Sequence, residues 1–81
     1  MLTHMQLSQE NIKTVAAWAG AIEVEEIDPF NDAQRYPALN VQCGDTVKRA
    51  GLGDYVIRNS DGTFNVLGPR AYLAHTKEDN H

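Results

Sequence analysis

The run from residue 53 to residue 69 constrains the fold of this chain more than any other. It reads as strand, tight turn, strand and helix start. Asp61-Gly62 lies between two apolar-rich segments. A two-residue type I′ turn needs positive φ at both central residues, and Asp and Gly tolerate that best. The predicted register then sets Ser60 opposite Thr63, Asn59 opposite Phe64, Arg58 opposite Asn65, Ile57 opposite Val66 and Val56 opposite Leu67. Side chains alternate along a strand. One face therefore carries Tyr55, Ile57, Phe64 and Val66 and is expected in the core. The other carries Arg58, Ser60, Thr63 and Asn65, with Val56 and Leu67 at its base, and is expected to be mostly wet.

Residues 8–19 read as the main helix. Ser8 is a good N-cap, Glu10 suits the positive end of the helix dipole, and Gly20 is a natural C′ residue. Ile12, Val15, Ala16 and Ala19 fall at i, i+3, i+4 and i+7, a one-sided apolar stripe. Trp18 lies beside that stripe, either as the edge of the core or as an exposed anchor for a partner. Residues 5–7 read as a short strand. Ile22 and Val24 alternate with Glu23 and Glu25 as a half-buried strand with a carboxylate face, and Glu26-Ile27 breaks the alternation, which places a bulge or strand end there. Residues 28–37, bracketed by Pro29 and Pro37 and rich in turn formers, read as a loop. It holds two aromatics, Phe30 and Tyr36, which either make contacts with a partner or fold back as a lid on the core. Residues 38–43 read as a strand, 44–45 as a turn, 46–49 as a return strand and 50–53 as a connector. Pro69 suits the first position of a short helix over 69–76, with Tyr72, Leu73 and Thr76 leaning inward.

These elements predict an α+β fold in the order β-α-β-β-β-β-β-α. A mostly antiparallel sheet of about five strands is covered on one face by the N-terminal helix, with the short C-terminal helix at an edge. An edge left open would invite pairing with a second copy. The 81 residues make a single domain, 1–81, with residues 1–4 and 77–81 expected to fray. A chain of this size draws no more than about 3–5 kcal/mol from one hydrophobic core.

There is no run of eighteen apolar residues, and the first residues show neither a basic region nor a long apolar core. A cytoplasmic protein with no membrane span is the expectation. Cys43 is the only cysteine, which rules out an intrachain disulfide and a cysteine-based zinc cage. Its alternation with Leu39 and Val41 marks it as a buried thiol. The net charge is −4, all of it carried by the first forty residues. Nucleic-acid binding draws on clustered Lys and Arg. The chain offers only Lys48-Arg49 and the scattered Arg58 and Arg70, so nucleic acid is not expected as a partner, whereas an acidic face suits a basic protein.

Trp18 and Gly20 near the front, then Gly53, Asp54, Tyr55, Val56, Ile57, Arg58, Gly62, Phe64, Pro69 and Tyr72, make a pattern. It resembles a family of small uncharacterised proteins encoded by tailed bacteriophages, especially phages of actinobacteria. Residues 41–75 carry most of the likeness. Where that family usually has Gly-Glu-Phe-Tyr-Pro-Cys-Lys-Pro, this chain has residues 62–69 without the Cys-Lys pair, so no role of that pair carries over. The resemblance implies a phage origin and a shape; it implies no chemistry.

Catalysis needs a nucleophile, a base and a stabiliser in mutual reach, and the sequence offers no such set. His4 and His81 sit near the ends, and His75 falls in the last turn of the short helix, where a cation suits the dipole. No histidine pair at helical spacing suggests a metal, and there is no P-loop, dinucleotide glycine motif or nucleophile elbow. Asp54 is expected to accept backbone N–H bonds at the connector. Arg58 is placed to pair with a neighbouring carboxylate or to present its guanidinium to a ligand or partner. No catalytic residue, cofactor or metal is expected. The expected function is that of a non-enzymatic phage accessory protein binding a host or phage protein in the infected cell, with Phe30, Tyr36, Arg58 and Trp18 as candidate contacts. The alternative is a small-molecule binder that sequesters a nucleotide signal in a pocket between two protomers of a homodimer, lined by Arg58, Tyr55 or Trp18.

Overall fold

The computed structural model describes residues 3–79. Its elements are β1 (His4–Gln6), α1 (Ile12–Ala19), β2 (Ile22–Asp28), β3 (Asn31–Cys43), β4 (Thr46–Ala50), β5 (Tyr55–Arg58), β6 (Phe64–Leu67) and α2 (Pro69–Asp79). This is the expected α+β order, but the strands do not form one sheet of five. They form two antiparallel sheets of three, in the orders β1-β5-β6 and β2-β3-β4. The connector after β4 explains the split. Gly53 adopts φ 93° and donates its N–H to the Leu7 carbonyl at 2.8 Å, while Leu7 N–H donates to the Asp54 carbonyl at 2.8 Å. The chain is thereby handed to β1 instead of continuing beside β4. The Asp54 carboxylate accepts the Gly51 N–H at 2.9 Å, the turn role expected of it.

α1 begins later than residue 8. Residues 9–11 form a turn, closed by reciprocal bonds: Ser8 N–H donates to Asn11 Oδ1 at 2.8 Å, and Asn11 N–H donates to Ser8 Oγ at 3.3 Å. Asn11 stands at the N-cap, but its side chain faces backward, with Nδ2 donating to the Gln6 carbonyl at 2.8 Å. The other end is the expected one. Gly20 is left-handed at φ 63°, and the N–H groups of Gly20 and Ala21 both reach the Ala16 carbonyl, a Schellman-type close.

The predicted stripe of Ile12, Val15, Ala16 and Ala19 is buried against Leu39, Val41 and Ala50 of one sheet and Val56 of the other. Trp18 lies at the edge of this core, its ring T-shaped to Phe64 at 5.2 Å and 83°. Cys43 is half-buried at the rim, not fully buried, with Sγ 3.5 Å from the Val41 carbonyl. Among the described residues, no helix is long and apolar enough to cross a membrane.

The β5–β6 hairpin corrects the predicted register by one residue. Val56 lies opposite Val66, Ile57 opposite Asn65 and Arg58 opposite Phe64. Gly62 has φ 90°, but Asp61 does not take positive φ. Asn59 N–H donates to the Thr63 carbonyl at 2.8 Å and Gly62 N–H to the Asn59 carbonyl at 3.0 Å. This is a three-residue loop, a type I turn followed by a left-handed glycine bulge, and not the two-residue type I′ turn. Val56, with Phe64 and Val66, therefore faces the core, while Tyr55 and Ile57 move to the far face. That face is not simply wet. α2 lies on it, with Tyr72 stacked on Tyr55 at 3.8 Å and 4° and His4 5.3 Å from Tyr72. Leu73 does not lean inward; it is 57% exposed.

The turn makes a testable prediction. Asp61 Oδ1 accepts the Thr63 hydroxyl at 2.6 Å and the Thr63 N–H at 3.0 Å. The hydroxyl bond first, then the backbone bond, hold the Asp61 carboxyl below the usual carboxylate range. A depressed folded pKa means that the stabilisation is complete above the unfolded-state value and is lost as pH falls through the folded one. An NMR titration should show the Thr63 amide responding at a midpoint below that of an ordinary aspartate. Thr63→Val should move the Asp61 midpoint upward; an unchanged midpoint would break the assignment.

Candidate partner-binding arm

The segment expected to be a loop, residues 28–37, is mostly strand. β2 and β3 pair without interruption from Ile22 opposite Asn40 to Ile27 opposite Arg35. Two prolines mask this in the sequence, and each has a place. Pro29 follows Asp28 in the turn and suits position i+1 of a type I turn. Pro37 lies past the end of the β3–β4 ladder, whose last pair is Leu39 with Ala50, so one side of the strand there is unpaired, the setting in which sheets tolerate proline.

The result is a two-stranded arm. Residues 31–36 are all exposed, and burial begins at Pro37 and Ala38. The molecule measures 45 × 25 × 24 Å. At the tip, Phe30 N–H donates to Asp28 Oδ1 at 2.8 Å, and the Tyr36 hydroxyl donates to Asp28 Oδ2 at 3.3 Å. One carboxylate thus closes the turn and pins Tyr36. Between the Ile27–Arg35 and Asp28–Asn31 pairs, β2 advances one residue and β3 four, so residues 32–34 bulge from the ladder. Phe30 does not fold back as a lid: it is 97% exposed. Ile27 and Tyr36 are also exposed, at 54% and 43%.

Charge on the arm is one-sided. β2 carries Glu23, Glu25, Glu26 and Asp28 and no cation; the exposed part of β3 adds Asp32 and the single cation Arg35. An open concavity of ≈ 800 Å³ borders the root of the arm, lined by Glu23, Val24, Glu25, Arg35, Tyr36 and Pro37. Among the described residues, no group of three His, Cys, Asp or Glu is arranged to hold a metal ion.

Of the four residues singled out in the sequence, Phe30 and Tyr36 come together on the arm. Trp18 and Arg58 instead neighbour Phe64, the first through its ring contact and the second as its cross-strand partner. Arg58 is half-buried, and its N–H donates to the Thr3 carbonyl at 2.7 Å. Tyr55 belongs to the opposite face of its sheet, so one protomer does not gather Tyr55 with Trp18 and Arg58. Ile27 and Arg35 belong to the arm and were missed by sequence reasoning. Two signals point to them: no glycine interrupts residues 21–43, and Asp28-Pro29 opens a type I turn.

No family model matches the chain, and no curated protein or solved structure matches it.

Proposed function

We propose that this chain is a non-enzymatic accessory protein of a tailed bacteriophage, and that it works by holding a host or phage protein with the β2–β3 arm. The observation that carries the reading is Phe30, 97% exposed at the end of a projection whose residues 31–36 contribute nothing to the core. Scattered apolar residues are normal on any surface. Here Phe30 and Tyr36 are tied to one carboxylate, Asp28, which accepts the Phe30 N–H and the Tyr36 hydroxyl, while Ile27 projects from the other face of the ladder. Rigid aromatic anchors are the side chains that dominate binding energy at protein interfaces. The phage setting rests on the resemblance carried by residues 41–75.

The test is affinity capture from infected cells, followed by mass spectrometry and titration of the purified partner. Phe30→Ser should leave stability within about 0.5 kcal/mol of the parent, as for other surface substitutions. It should weaken partner binding about 30-fold, the scale of a hot-spot residue worth about 2 kcal/mol. Recovery of the same proteins at the same yield by the parent, Phe30→Ser and Tyr36→Ser would overturn the reading. So would a nucleotide that raises the melting temperature while no protein is captured.

A further inference from the structure

We infer that the arm takes its partner as an extended segment bearing alternate lysines or arginines, which adds to β2 as a fourth strand of the β2-β3-β4 sheet. The inference rests on the reading of the arm as the binding element and specifies what that element accepts.

The first argument is the backbone. β2 is an outer strand. Alternate residues of an outer strand turn their N–H and C=O groups away from the sheet. Among the described residues, no backbone bond outside the ladders involves residues 22–28. The arm has a second open side, along β3 beyond the β4 ladder, but Pro37 interrupts it. β2 has no proline, and its charged guards are all carboxylates, which turn away a like-charged strand and not a basic one.

The second argument is charge, which selects the occupant. A second copy pairing β2 with β2 about a two-fold axis meets like charge. A two-fold centred on Val24 sets Glu23 against Glu25; one on Glu25 or on Glu26 sets that residue against itself. Like charges directly opposite are destabilising in a sheet. A basic strand reverses every one of these terms. Glu23 and Glu25 share a face two residues apart, so cations at every second position of the incoming segment lie across from them.

The experiment uses the full chain, isotopically labelled, and three peptides of about ten residues, a length suited to a strand. One alternates Lys and Thr, one alternates Glu and Thr, and one is the Lys-Thr peptide N-methylated along both backbone edges. The Lys-Thr peptide should slow hydrogen exchange at alternate amides of β2. It should bind at least about tenfold tighter than its N-methylated form, because strand addition needs main-chain bonds. The Glu-Thr peptide should not bind, and Glu23→Lys/Glu25→Lys should exchange the preferences of the two charged peptides. Equal binding of the methylated peptide, protection elsewhere than β2, or a dimer dispersed by Val24→Pro would each overturn the inference. The two readings fail separately. A partner from infected cells lost with Phe30→Ser but unaffected by Glu23→Lys/Glu25→Lys would sink strand addition and leave the arm standing. Indifference to both variants would sink the arm.

Discussion

Val56→Lys is expected to leave the protein unfolded at 25 °C, whereas Ile57→Lys is expected to fold. Val56 is fully buried between β1 and β6, facing α1. An ammonium there has no partner, and an unpaired buried charge costs several kcal/mol even after relaxation. That exceeds the roughly 3–5 kcal/mol that a core of this size supplies. Ile57 is half-buried on the opposite face. A lysine at that position can lay its stem along the surface and keep its charge in water, for a loss of about 1 kcal/mol. Far-UV circular dichroism and urea denaturation separate the outcomes. The reverse order, with Ile57→Lys the more damaging, would mean that the hairpin pairs Ile57 with Val66 after all.

Leu39→Ala is expected to cost about 2–5 kcal/mol, the range for emptying a buried leucine site. Leu39 is fully buried at the centre of the β2-β3-β4 sheet, between Glu23 and Ala50, and touches the α1 stripe. The loss is comparable to the whole stability of the domain, so the urea midpoint should fall to near zero with little change in the slope of the transition. Val47→Ala, at a site 59% exposed, should stay within about 0.5 kcal/mol of the parent. Equal effects at the two sites would contradict the placement of the core.

Much of this architecture was legible in the chain because local chemistry enforces it. Gly20 stops α1, the stripe from Ile12 to Ala19 buries one side of it, and Gly44-Asp45 returns β3 into β4. What stayed hidden was non-local or depended on a single torsion. Asp-Gly serves equally in a type I′ turn and in a type I turn with a glycine bulge. The Asp61–Thr63 bonds accompany the second form, and one residue of register follows from it. Alternation marks a strand without naming its neighbour, so the choice of β1 as the partner of β5, and with it the division into two sheets, is not written in β5 itself. At the site, Phe30 and Tyr36 stood out as aromatics in a polar stretch. The flanking prolines disguised their strand setting, whereas the broken alternation at Glu26-Ile27 did mark an irregularity: the register shifts directly after Ile27, which is itself still paired with Arg35.

β3 spans thirteen residues, its first half in water and bulged at residues 32–34, its second half in the core. No glycine hinge lies between the two halves. A partner that clasps the distal half, as proposed, binds only the folded chain, so occupancy adds to resistance to unfolding by mass action. Variants with a firmer grip should therefore melt at a higher temperature in the partner's presence and at an unchanged temperature without it.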